Sequence, residues 1–156
     1  ILILLTSLLI FSLSAELVDR IVAKVGSDII LLSDVYKMMY QMQLAGIPKE
    51  QISMDMALRE IIEQKVISQK AKELIDENPN LEMVREPGLS CVLFRRKGWK
   101  PEDYYQWTYK NHKENIALVT PTKWQQGNEL ETVARFCFIN PDTTEEDLKV
   151  IFETMN

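Results

Sequence analysis

The sequence has little of the residue types that carry most site chemistry. Among its 156 residues there are one histidine and two cysteines, and Cys91 and Cys137 lie far apart along the chain. Two cysteines without close spacing cannot form a metal site by themselves. A single disulfide and a pair of reduced, buried thiols are both compatible with this content.

Positive charge is also scarce. The chain has 18 basic residues against 23 acidic ones, a net charge of −5, and no basic run stands out. Proteins that bind nucleic acid need clustered basic residues to contact the phosphates, so we expect no nucleic-acid partner. The contents of 46% apolar and 26% charged residues are typical of a globular chain.

The longest uncharged apolar run, residues 1–15, is too short to span a bilayer comfortably, which takes roughly twenty residues. It ends in small residues before Glu16, as the apolar stretch and cleavage site of a secretory signal peptide do. We expect a signal peptide that lacks its basic start, since the chain begins at Ile1. A functional signal would export the chain to the periplasm and would be its only membrane contact. A buried helix is the alternative.

Residue usage changes near residue 78. All three tryptophans, and every aromatic residue except Phe11, Tyr36 and Tyr40, lie beyond it, whereas five of the seven methionines precede it. One small domain seldom changes its composition so sharply. The sequence therefore indicates two pieces of different origin, joined near residue 75.

The first piece reads as a hairpin and two helices. Two β-branched runs flank the turn at Gly26, and Ser33 and Ser53 are residue types that cap helices. The predicted elements are a hairpin over 20–32, a helix from Ser33 to about Ala45, and a longer amphipathic helix from Ser53 to about Ile75.

The second piece alternates strands with helices. The predicted strands are Leu81–Val84, Leu89–Arg95, Ile116–Thr120 and Thr132–Ile139, and the predicted helices are Pro101–Lys113 and Thr144–Met155. The run at 143–146 has the pattern of a capping box that begins the last helix. This order predicts an α+β fold with a small antiparallel sheet and helices on one face. The aromatic residues at 99–109 are predicted to pack between helix and sheet rather than to stack on nucleic-acid bases.

Two segments of the first piece carry a family resemblance: ELVDRIVAKVGSDIILLSDV at 16–35 and LREIIEQKVI at 58–67. Together they make 16–75 resemble the N-terminal region of the SurA-type periplasmic chaperones. The resemblance implies that 16–77 is a fragment of an extracytoplasmic folding factor, whose clients are unfolded outer-membrane proteins.

A second resemblance covers 78–156. It is carried by NPNLEMVREPGLSCVLFR at 78–95, VTPTKW at 119–124 and RFCFINPDTT at 135–144. These motifs are similar to the C-terminal small domain of the group II pyridoxal-phosphate-dependent amino-acid decarboxylases. Those carboxy-lyases are homodimers and usually cytoplasmic. Their Schiff-base lysine and cofactor-binding residues lie in a large domain that this chain does not match.

The resemblance therefore implies no catalytic and no cofactor-binding residue here, and we expect no pyridoxal phosphate to bind this chain alone. The pair His112-Lys113 and the single Lys123 are not expected to be catalytic, because neither lies at the family's Schiff-base position. Arg135 is the one candidate substrate contact. It matches an arginine that, in glutamate-type members, reaches a substrate carboxylate. The alternative is an arginine at a strand end that is paired within its own domain.

The leading hypothesis from the sequence is a decarboxylase fragment fused behind an exported SurA-like segment and inactive by itself. Two further hypotheses stay open. One is a truncated chaperone that carries the decarboxylase tail as a passenger, and the other is an interaction module in which both halves pack together.

Overall fold

The computed structural model describes residues 19–88, 90–140 and 142–156. The predicted signal peptide at 1–15 lies outside the described residues. The elements are, in chain order, β1 (Ile21–Val25), β2 (Asp28–Leu31), α1 (Leu32–Leu44), a 3-10 helix (Lys49–Gln51), α2 (Met54–Glu77), β3 (Leu81–Met83), β4 (Cys91–Arg96), α3 (Pro101–Lys113), β5 (Thr120–Gln126), β6 (Glu129–Cys137) and α4 (Glu145–Glu153). Among the described residues, no helix is both long and apolar enough to cross a membrane.

The N-terminal unit consists of the β1–β2 hairpin and the helices α1 and α2. Gly26 makes the hairpin turn with a φ of 58°, which a residue with a side chain rarely adopts. Ile30, Val35, Ala57 and Ile61 form a small buried core, against which the methionines of α1 pack. Packing within this unit therefore explains those methionines.

Ser33 does not cap α1, so the predicted cap is wrong. Strand β2 leads directly into the helix, and Leu31 occupies the N-cap position. The backbone N–H of Leu31 donates to the Asp34 carboxylate at 3.1 Å, while that of Ser33 donates to Asp19 at 3.2 Å. The helix begins two residues earlier than a Ser33 cap allows, so Ser33 lies in its first turn, and Asp34 accepts from the N–H of the N-cap residue instead.

Helix α2 joins the two parts of the molecule. It begins where predicted, since the Ser53 hydroxyl accepts a hydrogen bond from the backbone N–H of Met56 at 3.1 Å. Its first half contributes Ile61 to the N-terminal core, and its second half contributes Ala71 and Ile75 to the larger core. One continuous helix thus crosses the region where the sequence predicts a join.

The C-terminal unit is a four-stranded antiparallel sheet in the order β3-β4-β6-β5. Side chains of β4 and β6 alternate between its faces, and Val92, Phe94, Ala134 and Phe136 lie on the buried face. Buried residues of α2, α3 and α4 complete the same core. The predicted fold class, α+β with a small antiparallel sheet and helices on one face, is confirmed.

The third strand of this sheet is not where the sequence places it. Residues 116–119 form no strand; Ile116, Ala117 and Val119 pack against the core instead, while Leu118 is exposed. The strand is the more polar Thr120–Gln126, which forms a hairpin with β6 around Gly127. It includes Pro121, which an edge strand tolerates because one side of it is unpaired.

The capping box of α4 is shifted by one residue from the prediction. Thr144 caps the helix, its hydroxyl accepting from the Asp147 backbone N–H at 3.2 Å, and the Asp147 carboxylate accepts from the Thr144 backbone N–H at 2.8 Å. Thr143 belongs to the turn before the helix, where its backbone N–H and its hydroxyl both donate to the carbonyl of Asn140, at 3.2 and 2.9 Å. The aspartate at 147 thus replaces the expected glutamate at 146.

The aromatic residues at 99–109 divide as helix packing requires. Tyr104 and Trp107 are buried and make edge-to-face contacts with Trp99, at centroid separations of 5.2 and 5.9 Å. Tyr105 and Tyr109 lie exposed on the other side of α3. The aromatic residues that a surface for stacking nucleic-acid bases would have to expose are therefore buried in the core.

Candidate functional site: the open face of the sheet

The sheet has a second face, which α2, α3 and α4 do not cover. We call it the open face. It carries the alternate side chains of β4, β5 and β6 that share the face of Arg135, namely Cys91, Leu93, Arg95, Thr120, Thr122, Trp124, Gln126, Glu129, Glu131, Val133, Arg135 and Cys137, together with Glu82 of β3. Val133 is itself fully buried within this face. Because β6 is a central strand, its residues lie in the middle of this face.

Arg135 lies in β6, opposite Leu93 of β4 and Thr120 of β5. It is inside a strand rather than at a strand end, and its neighbours Ala134 and Phe136 face the core. Within the described ranges it has no ion pair, and its Nε, like that of Arg95, is buried without a hydrogen-bond partner. An internal pairing, the alternative open from the sequence, is thus not found in the described part of the chain.

Arg95 lies on the same face, two residues along β4 from Leu93, which is opposite Arg135. Unlike Arg135, it is paired with carboxylates among the described residues. One of its terminal nitrogens lies 2.5 Å from Glu131 and 3.1 Å from Gln126, and the other lies 3.4 Å from Glu82. Two carboxylates therefore compensate this guanidinium. No such pairing compensates Arg135 in the described residues, and a planar guanidinium suits a carboxylate because it donates two parallel hydrogen bonds.

A third arginine borders the open face. The guanidinium of Arg85 lies 5.9 Å from the centre of the Trp124 ring, within the range of a cation–π contact. The charges of Arg135 and Arg85 both act to lower the pKa of Cys91, although burial and the neighbouring Cys137 outweigh them. These arginines thus contribute positive potential to one end of the sheet.

The two cysteines also meet on this face. Cys91 and Cys137 are directly opposite in the β4–β6 pairing, with their Sγ atoms 2.9 Å apart. Burial, and then the hydrogen bond and charge of Cys137, raise the pKa of Cys91 to about 11. The sequence predicted a strand for each cysteine but not this pairing, because the register between distant strands is not encoded locally.

Two grooves of about 510 and 520 Å³ flank α2, away from Arg135. Their cations are already paired: Lys70 lies 3.1 Å from Glu73 and 3.4 Å from Glu145, while Lys72 lies 2.7 Å from Asp76. An anion would therefore find fewer unpaired cations in these grooves than on the open face. Nowhere in 19–88, 90–140 and 142–156 do three or more metal-binding side chains cluster.

The two lysines considered from the sequence are Lys113 in α3 and Lys123 in β5. Lys113 and its neighbour His112 are exposed in the last turn of α3. Lys123 donates to the Thr132 hydroxyl at 2.7 Å. Each lies outside the cluster around Arg135.

Pyridoxal phosphate requires a lysine amine that can lose its proton, and a lowered pKa favours this. Among the described lysines the resolved shifts go the other way. The hydrogen bond to Glu73 raises the pKa of Lys70, and that to Asp76 raises the pKa of Lys72. Neither Lys70 nor Lys72 therefore suits the role of the lysine that holds this cofactor.

Comparison with known proteins gives a likeness in structure only. No protein-family profile and no curated protein sequence matches the chain. Solved structures do match: the glutamate decarboxylase domain of a diaminobutyrate-pyruvate transaminase and L-2,4-diaminobutyrate decarboxylase from Vibrio parahaemolyticus has 19% identity and a TM-score of 0.57. Oryza sativa TDC, solved with PLP and tryptamine, has 16% identity and a TM-score of 0.54, and mouse CSAD, in its apo form, has 15% and 0.56.

The matches cover 68%, 66% and 75% of this chain, but only 23%, 23% and 26% of those chains. The chain thus spans about a quarter of the length of each neighbour and has the fold of that part. Residues 78–156 are about half of the chain, so the likeness also takes in residues before 78. The contribution of α2 to the large core agrees with this extent.

Proposed function

We propose that the C-terminal unit, together with α2, is the small domain of a pyridoxal-phosphate-dependent amino-acid decarboxylase. In the assembled enzyme, Arg135 would bind a carboxylate of the substrate. The observation that supports this role is the guanidinium of Arg135, which lies in mid-strand on the open face without an ion pair in the described residues.

The open face is the natural surface for the large domain in this proposal. Helices already occupy the opposite face, whereas the open face presents Leu93 and Trp124 beside charged side chains. A large domain placed there would supply the cofactor lysine and the acidic partner of its ring nitrogen. The small domain would supply the arginine, and the parent enzyme would be a homodimer.

Carboxylate binding by the isolated chain tests the role of Arg135. We expect a titration with glutarate to shift the side-chain Nε–H signal of Arg135 in NMR spectra with saturation on the order of millimolar, as a single charge-assisted contact allows. Arg95 is the matched control, because its carboxylate partners already occupy it. Equal drift of both signals, or no shift at Arg135, would count against the proposal.

Inactivity of the chain alone is a separate part of the proposal. Purified protein mixed with pyridoxal phosphate should develop no aldimine absorbance and release no carbon dioxide from glutamate or diaminobutyrate. An absorbance band that disappears in the variant Lys113→Ala would overturn this part.

An alternative function is that of a truncated SurA-like chaperone. On α1, Tyr36, Tyr40 and Leu44 are 56%, 62% and 69% exposed, and their spacing of four places them on one side of the helix. Such a stripe would suit unfolded outer-membrane proteins as clients. The full chain should then suppress aggregation of an unfolded outer-membrane protein, and a variant with Tyr36, Tyr40 and Leu44 changed to serine should not.

Localisation follows from whichever proposal holds. A working signal at 1–15 would export the chain to the periplasm, whereas the parent decarboxylase is cytoplasmic.

A fused gene product accounts for both resemblances, and unbroken sequencing of single messenger molecules across codons 65–85 tests it. If the two halves instead form one interaction module, unfolding should be a single cooperative transition.

A further inference from the structure

Cys91 and Cys137 are placed where two strands bring side chains closest together. The backbone N–H of Phe138 donates to the carbonyl of Ser90 at 2.9 Å, so the next pair along the ladder, Cys91 with Cys137, is not hydrogen-bonded. In such pairs the Cα atoms are about 4.5 Å apart, closer than in hydrogen-bonded pairs. A disulfide accepts Cα separations of roughly 4.4–6.8 Å.

The thiols are already in contact, and one of them is open to solvent. Their Sγ atoms are 2.9 Å apart, against roughly 2.0 Å in a disulfide bond. Cys137 is exposed, while Cys91 is partly buried. The backbone of Cys91 is held by two hydrogen bonds to Gly88, at 2.9 and 3.1 Å. Small side-chain rotations suffice to form the bond.

We propose that, in this chain by itself, where no other domain covers the open face, Cys91 and Cys137 form a dithiol site that reacts with small disulfides, such as oxidised glutathione, and closes to a cross-strand disulfide. The Cys137 thiolate attacks one sulfur of the small disulfide, which forms a mixed disulfide and releases one small thiol. Cys91 then loses its proton to water and displaces the second small thiol. Two protein thiols are oxidised and one small disulfide is reduced to two thiols, so the exchange balances.

The order of the two attacks follows from exposure and charge. An incoming disulfide can reach Cys137 first because that side chain is exposed. Burial is the largest cause that raises the pKa of Cys91, and the hydrogen bond and the charge of Cys137 add to it. Both end once Cys137 is in a mixed disulfide, and the charges of Arg135 and Arg85 then favour the Cys91 thiolate.

Mass spectrometry of the full chain with excess oxidised glutathione tests the site. We expect the wild type to lose the mass of two hydrogen atoms without retaining glutathione, with the disulfide mapped to Cys91–Cys137. The variant Cys91→Ser should stop at a stable glutathione adduct. The variant Cys137→Ser should react about tenfold more slowly, because the remaining thiol is partly buried.

Four results would overturn the proposal: two free thiols that persist in the wild type, a stable adduct at Cys137, disulfide-linked dimers as the main product, or equal rates for the two single variants. Circular dichroism of both variants in the reduced state checks that they keep the wild-type fold. If serine disturbs the fold, the single variants Cys91→Ala and Cys137→Ala replace them.

Discussion

Ile75 of α2 and Phe94 of β4 are both fully buried in the same core, although the sequence places the join between the two pieces just after Ile75. The last turns of α2 are therefore part of the C-terminal unit in packing terms. Separating the chain at residue 75 or 78 would take α2 away from the sheet and leave apolar side chains of the sheet uncovered.

Shortening Ile75 tests this packing. The variant Ile75→Ala should lower the free energy of unfolding by about 2–5 kcal/mol, since it opens a cavity in a closely packed core. Val66→Ala is the matched control on the same helix, where the side chain is about half exposed, and it should change stability by no more than about 0.5 kcal/mol. Urea unfolding followed by tryptophan fluorescence measures both, because all three tryptophans are in the C-terminal unit. Equal effects would show that α2 does not belong to this core.

Trp107 is the aromatic residue whose loss should matter most on α3. It is buried, and its indole N–H donates to the Thr154 hydroxyl at 2.8 Å. Trp107→Ala should cost about 3–5 kcal/mol of unfolding free energy, whereas Tyr105→Ala, which alters an exposed neighbour, should cost no more than about 0.5 kcal/mol. Thermal unfolding followed by circular dichroism measures the difference. A stable Trp107→Ala protein would reopen the question of a stacking role.

The cap of α4 makes stability depend on pH. The hydrogen bond from the Thr144 side chain lowers the pKa of the Asp147 carboxyl below its usual 3.8. Because the folded pKa is lowered, the stabilisation is present above pH 3.8 and is lost as the pH falls through the folded value. Asp147→Asn should therefore be less stable than wild type near pH 7, and the difference should shrink in acid below about pH 3.8.

Asp142→Asn is the control for this pH dependence. The side chain of Asp142 has no hydrogen bond or ion pair within the described ranges, so its replacement should leave the pH profile of stability unchanged. If the gap between wild type and Asp147→Asn were the same at pH 3 and pH 7, the ionised cap would not be what stabilises α4.

Local patterns predicted much of this fold. The hairpin around Gly26, the helix that begins after Ser53 and the helix that begins at Pro101 follow from turn and cap residues that act on near neighbours. The strand that the sequence misplaced, Thr120–Gln126, is polar because it is at the edge of the sheet. A signal for it does exist, since Gly127-Asn128 is a two-residue hairpin turn between the strands.

The open face is harder to predict because it depends on register between distant strands. Family resemblance selected Arg135, but nothing in the sequence indicates that Arg95 is paired with carboxylates while Arg135 is not. Likewise, Cys91 and Cys137 are 46 residues apart and meet only through the β4–β6 ladder. A shift by one residue would place one of the two thiols on the opposite face.

The most direct test of the proposed small domain replaces the matching C-terminal part of the Vibrio parahaemolyticus decarboxylase domain with residues 54–156. Aldimine absorbance of the grafted protein shows that its large domain is intact. We predict that such a protein decarboxylates diaminobutyrate and that glutarate, a dicarboxylate, inhibits it competitively. Arg135→Gln should weaken this inhibition about tenfold or more without changing that absorbance, while Arg95→Lys should leave the inhibition near its starting value. A grafted protein with full aldimine absorbance but no decarboxylation, or with inhibition unaffected by Arg135→Gln, would contradict the account.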